Sequence, residues 1–175
     1  LEAMERALLR DRLNPLIHRA AGSIHYAARR FTESLAPVRQ ALVMNPKLSQ
    51  AHAALGDALV NLGSLEDAQA EYTAEPNADF RLTGLAIAAH RRGQAEASRA
   101  AMSQMVNDLG DRVLYQQAQV LAQWGELEKA VSSLQAARDH GDSGLIYARN
   151  DPFLDPLRAD PRMARLLDSL GFDPA

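Results

Sequence analysis

Five histidines, at positions 18, 25, 52, 90 and 140, are the side chains of this 175-residue chain best suited to chemistry. Neutral imidazole ligates transition metals and exchanges protons near neutral pH. A metal centre needs several such ligands converging, as in HExxH. His18 and His25 stand seven apart on one helical stretch, and no carboxylate or third histidine joins them at ligand spacing. The acids offer no paired arrangement for general acid–base work. Asp151, Asp155 and Asp160 each precede a proline, where a short carboxylate serves as a cap or turn residue. No GxGxxG, GxxxxGK[ST] or GxSxG stretch supplies a phosphate cradle or a nucleophile elbow. With no cysteine, thiolate ligands, cysteine nucleophiles and disulfides are excluded. The chain therefore reads as non-enzymatic, with neither cofactor nor metal.

What the histidines do mark is spacing. His18 and His52 recur at a spacing of 34, and each precedes a glycine by four, Gly22 and Gly56. Around them the apolar residues recur at helical spacing. In each stretch a glycine then interrupts the pattern and a second helical stretch opens with acids, as in Gly63-Ser-Leu-Glu-Asp and Gly125-Glu-Leu-Glu. Gly63, Gly93 and Gly125 are the hinges of successive helical hairpins. Small residues such as Gly56, Ala68, Ala86, Ala118, Ala130 and Ala137 stand where helices must approach closely, and leucines with Tyr72 fill the rest. One hairpin cannot bury such a face, and stacked neighbours can.

The totals agree with a globular chain of this kind. Net charge is −3, with 47% apolar and 23% charged residues, which gives no reason to expect nucleic acid as a direct partner. No apolar run is long enough for membrane insertion. Residues 1–48 carry +4 and the remaining 127 carry −7, a polarity that favours head-to-tail self-association. The chain starts at Leu1 and reads as a piece of a longer protein, with a cytoplasmic setting expected, or a periplasmic one where a parent chain is membrane-anchored.

The period of 34, with Leu55-Gly56, Ala68 and Tyr72 in one unit and Gly22, Phe31, Ala41 and Pro46 in the unit before, resembles the tetratricopeptide repeat. The resemblance implies an all-α fold, a right-handed superhelical stack of antiparallel helix pairs. Units are expected over about 15–48, 49–78, 79–110 and 111–142, after a partial unit over 1–14 and before a C-terminal cap over 143–175. Helices are expected over 2–10, 15–28, 31–44, 48–62, 65–73, 79–92, 95–108, 111–124 and 127–139. Pro76 arrives four residues early, which is about one helical turn. The second helix of that unit should be a turn short and leave a notch.

In the tail, Asp160 and Pro161 open a helix with Met163, Leu166, Leu167 and Leu170 on one face, and Gly171 ends it. Phe153, Leu154 and Leu157 precede it as an apolar plug for the end of the stack. The run NDPFLDPLRADPRMARLL resembles the closing segment of bacterial multidomain signalling proteins that end in such repeats after a winged-helix, cyclase or kinase domain. That resemblance implies signalling or transcriptional regulation, with the effector upstream.

The same family resemblance implies that the first helices of the units line a concave groove. The first unit would contribute Leu16, Arg19, Ser23, Tyr26 and Ala27, and the second Gln50, Ala53, Asp57, Val60 and Asn61. The third would give Phe80, Thr83, Ile87, His90 and Arg91, and the fourth Arg112, Tyr115, Gln119, Ala122 and Gln123. Amides suit a peptide backbone, aromatic rings can anchor side chains, and arginines suit acids. The carboxylate clamp of chaperone-binding relatives is absent, since its places hold Arg19 but also Ser23, Ala54, Phe80 and Gly84. The expected function is a non-catalytic protein or peptide interaction module, or a regulator of an attached domain. Two alternatives are a self-association domain forming a homo-oligomer, and a small-ligand sensor admitting a metabolite at the Pro76 notch, between His90, Arg91 and Tyr115.

Overall fold

The computed structural model describes residue 6 and residues 9–172. Four antiparallel helix pairs follow one another: α1 (Pro15–Ala27) with α2 (Phe31–Met44), α3 (Ala51–Asn61) with α4 (Leu65–Ala74), α5 (Ala78–Arg91) with α6 (Ala95–Leu109), and α7 (Leu114–Gln123) with α8 (Leu127–Asp139). A final helix, α9 (Pro161–Ser169), closes the described chain, and no strand occurs among the described residues. The helix expected over 2–10 lies largely outside them. Two boundaries need correction. Helix α3 starts at 51 and not 48, and the stretch expected as one helix over 111–124 divides into a 3-10 turn, Gly110–Val113, and α7.

The starts are capped by the side chains that the local sequence provides. Asn14, Asn77 and Asp160 accept from the backbone N–H two positions on, at 3.0, 2.9 and 2.8 Å, and so satisfy donors that a helix leaves open. The turns inside the hairpins repeat one motif. Ser64, Gln94 and Glu126 donate their N–H to the carbonyls of Leu59, Ala89 and Leu121, each at 2.9 Å and five residues back. The residue before each donor is a glycine with φ of 80, 74 and 80°, as a left-handed helix end requires. In the first hairpin the same place, one period before Gly63, is taken by Arg29 at φ 62°, and Arg30 donates to His25 at 2.9 Å.

Tyr72 organises the middle of the stack. Its ring is fully buried, between Gly56 of α3 and Gly84 of α5. A Cβ at Gly56 would stand 2.7 Å from the ring, and one at Gly84 would overlap it. Both glycines are therefore packing positions, where absence of a side chain admits a tyrosine.

Helix α4 has 10 residues where α2 has 14. Glu75, 1% exposed, turns back so that its carboxylate accepts from the N–H groups of Gln50 at 3.0 Å, Ala53 at 3.1 Å and Asn77 at 3.0 Å. It caps α3, whose own cap residue Gln50 makes no side-chain cap bond. An anion at a helix N-terminus also meets the favourable end of the dipole.

The tail does more than cover an end. Leu154, Leu157, Met163 and Leu166 are buried in one cluster with Leu134 and Ala137 of α8, as a plug would be. Phe153 belongs to the other cluster, with the first three hairpins. Residues 142–157, which include the 3-10 turns Ser143–Tyr147 and Pro152–Leu157, form a strap that crosses the inner side of the stack. The Phe153 ring meets Tyr26 of α1 edge-on at 6.4 Å, and Asp155 meets Arg29 at 2.6 Å.

Candidate functional site

Along α1, Arg19, Ser23 and Tyr26 fall four and three residues apart and so share a face. They look into a cavity of about 620 Å³ on the inner side of the stack. Of the residues expected in the groove, Arg19, Ser23, Tyr26, Ala27, Gln50, Ala53 and Asp57 line it from α1 and the start and body of α3. Phe80, Thr83, Arg112, Tyr115 and Gln119 line it from α5 and from the Gly110–Val113 turn with α7. Eight of the twenty expected residues do not line it, Leu16, Val60 and Ala122 among them. Ile87 is fully buried in the core. Asn61 donates to its own helix at the Asp57 carbonyl, 2.8 Å, and to the Tyr26 hydroxyl, 3.4 Å. His90 lies beside Trp124, ring centres 6.4 Å apart. Arg91 donates twice to Gln123 Oε1, at 2.6 and 3.0 Å, and Gln123 donates to the Phe153 carbonyl at 2.7 Å.

The last chain of contacts explains the difference. One end of the concave face already holds polypeptide, the strap itself. Asp151 accepts from the Tyr115 hydroxyl and from Gln119 Nε2, both at 2.6 Å, while its other oxygen accepts from the Phe153 N–H at 2.8 Å. Tyr115, Gln119 and Gln123, expected in the groove, are thus taken up by the strap of the same chain. The strap also supplies one wall of the cavity, through Asp142, Ser143, Gly144, Ile146, Tyr147 and Asn150. Helical periodicity could not reveal these residues, because they lie outside the repeat. The Asp-Pro pairs at 151 and 155 mark turns and no more.

Of the residues named for a small-ligand site, Tyr115 lines the cavity, while His90 and Arg91 do not.

Burial sets the charges of the site. Desolvation pushes the Asp57 carboxyl up to about 7, against the lowering effect of a 2.8 Å hydrogen bond from Tyr72, and the Asp151 and Glu75 charges add to the rise. Asp151 is likewise raised by burial, opposed by its bonds from Tyr115, the Phe153 N–H and Gln119. Burial first, and neighbouring carboxylates next, push the hydroxyls of Tyr26, Tyr72 and Tyr115 well up, so they stay protonated, and those of Tyr72 and Tyr115 donate. Asp142 gives its oxygens to the N–H groups of Tyr115, 3.1 Å, and Gly144, 2.8 Å.

Two of the five histidines are placed as structural ties. His18 Nε2 meets the Arg12 carbonyl at 2.9 Å, and one period further on His52 Nε2 meets the Pro46 carbonyl at 3.1 Å. His52 Nδ1 also meets Glu71 at 2.7 Å. Among the described residues no group of three or more His, Asp and Glu side chains is placed to hold a metal ion. No described helix is long and apolar enough to cross a membrane.

No family model and no curated protein matches the chain. Among solved structures it is similar to one described as "Crystal structure of YrrB: a TPR protein with an unusual peptide-binding site". The two superpose with a TM-score of 0.54 over 97% of this chain and 98% of that one, at 16% sequence identity. The fold is therefore an α-solenoid of the tetratricopeptide-repeat type.

Proposed function

We propose that the chain is a non-catalytic interaction module that takes an extended segment of a partner protein into the cavity between α1, α3, α5 and the strap. The observation that carries this reading is the strap itself: Tyr115, Gln119 and Gln123 already hold Asp151 and the Phe153 carbonyl, at the start of a 3-10 turn outside the repeat helices. A face that binds one stretch of chain has amides and aromatic rings left over for another, namely Gln50, Gln116, Phe80 and Tyr147. The solved relative's description speaks of a peptide-binding site in that protein, and this reading extends the idea to the present cavity. Fold alone would not license it, since this scaffold hosts many functions. In a longer chain the module would couple partner capture to an attached signalling domain.

Binding is tested by affinity capture on immobilised full chain, wild type against Phe80→Ala and Arg112→Ala. Both side chains line the cavity, and Arg112 is exposed, so the fold should survive by circular dichroism. Partners retained by the wild type and lost by both variants support the proposal. Partners retained equally by all three place binding elsewhere and reject it.

A further inference from the structure

The inner cavity combines an apolar rim with an excess of carboxylate. Three large apolar side chains that line it are exposed: Ile24 of α1 by 41%, and Ile146 and Tyr147 of the strap by 65% and 61%. Single exposed apolar residues are ordinary, but three around one opening form a surface fit for an apolar side chain. Asp57, Asp79, Asp142 and Asp151 line the same cavity, against two cations, Arg19 and Arg112. Asp142 and Asp151 receive neutral donors on both oxygens, which orients these carboxylates and leaves their charge in place. Arg19 donates to Gln50 Oε1 at 2.9 Å and Arg112 to the Leu109 carbonyl at 3.4 Å, and neither forms an ion pair among the described residues. Four carboxylates against two guanidiniums make the field of the cavity negative.

Two of the four aspartates keep acceptors for a ligand. Asp57 takes the Tyr72 hydroxyl on one oxygen at 2.8 Å, and its other oxygen has no hydrogen bond among the described residues. Asp79 donates its N–H to Asn77 and accepts from Thr83 at its carbonyl, while its carboxylate likewise has no hydrogen bond among the described residues. Gln116 Oε1, on the same lining, is a buried acceptor without a donor. Acceptors without donors, in a negative field, fit a cation that carries N–H groups.

Resting on the groove-binding reading above, we infer that the partner segment is a basic one. It carries a large apolar side chain that seats against Ile24, Ile146 and Tyr147, beside a Lys or Arg that enters the cavity and pairs with Asp57. The two guanidiniums are left for backbone carbonyls of the same segment. Because the strap supplies two of the three apolar contacts, specificity lies in the tail as much as in the repeats.

A bead-displayed library of random heptapeptides without histidine, offered to the full chain at pH 8, provides the test. Retained beads should be enriched in Lys or Arg next to Leu, Ile, Phe, Tyr or Trp, and retention should weaken as salt rises. For one retained peptide made synthetically, changing its basic residue to Gln should weaken binding about tenfold on the wild type and about twofold or less on Asp57→Asn. A second measurement needs no variant. Asp57 is faced by Tyr26 of α1, Tyr72 of α4, Glu75 ahead of α5 and Asp151 of the strap, shares the cavity with Arg19 and Asp79, and titrates at about 7. The basic peptide should therefore bind about fivefold more weakly at pH 6 than at pH 8, and its Gln form about equally at both. Peptides retained without preference for bases, or with a charge effect that moves neither with pH nor on Asp57→Asn, yet lost on Tyr147→Ser, overturn the basic partner and leave the groove reading standing. A library from which nothing is retained, or peptides indifferent to both Tyr147→Ser and Asp57→Asn, overturn the two together.

Discussion

Arg29, at the left-handed turn between α1 and α2, lies 2.6 Å from Asp155 of the strap, 126 residues further along the chain. The pair joins the first hairpin to the tail, yet its side chains are 39% and 49% exposed, so water screens most of its attraction. The buried Phe153 beside Tyr26 carries the docking instead. Arg29→Ala keeps the left-handed backbone and removes only the pair, and is expected to cost less than about 1 kcal/mol. Phe153→Ala should cost about 3–5 kcal/mol. Urea unfolding of both variants checks the ranking, and an equal loss for the two would show that the ion pair holds the strap.

Gly84 and Tyr72 set the spacing of the second and third hairpins. A methyl group at Gly84 would overlap the Tyr72 ring, which is fully buried and hydrogen-bonded to Asp57 at 2.8 Å, so the ring cannot swing aside without losing that bond. Gly84→Ala should therefore destabilise by roughly 1–3 kcal/mol despite the better helix propensity of alanine. Combining it with Tyr72→Leu should restore part of the loss relative to Tyr72→Leu alone, a coupling that a double-mutant cycle measures. Additive losses would remove the steric account.

The repeat was legible because its signals are local. The hinge glycines, the apolar spacing and the cap at Asp160 each act within a few residues, so their sequence pattern carries their conformation. Twelve of the twenty residues named for the groove line the cavity, most of them oriented by helix phase. The strap was not legible. Its path is decided by contacts between residues far apart in the chain, such as Tyr26 with Phe153 and Gln119 with Asp151, which no periodicity encodes. The same is true of Glu75, which resembles any surface glutamate until it is seen capping α3, a helix that begins back at Ala51.

Asp57 gives the site a pH dependence of definite sign. Its carboxyl is held up at about 7 in the fold, against an ordinary value near 3.9 in the unfolded chain. The folded state then binds the proton more tightly, so this residue's contribution is full below about pH 4 and is lost as pH rises through 7. Asp57→Asn keeps an acceptor for the Tyr72 hydroxyl and removes the titration. Relative to that variant the wild type should lose on the order of 2 kcal/mol between pH 4.5 and 7.5, since the carboxyl is partly open to the cavity and water screens it. Urea titrations at the two pH values test this. A wild-type minus variant difference that does not move with pH would mean that Asp57 does not titrate there.

Glu75 is the strongest single tie outside the apolar core. Three N–H groups, from Gln50, Ala53 and Asn77, converge on its carboxylate within 3.1 Å, and the side chain is 1% exposed. Hydrogen bonds to a charged group are worth more than neutral ones, and donors left buried without a partner carry a full desolvation cost. Glu75→Ala is expected to cost about 3 kcal/mol or more, and Glu75→Gln about half of that, because the amide oxygen can serve two donors but its NH₂ faces a third. Amide hydrogen exchange localises the effect. In Glu75→Ala the first turn of α3, at 50–54, should lose protection before α7 and α8 do, whereas uniform loss along the stack would place the role of Glu75 in general packing and not in the cap.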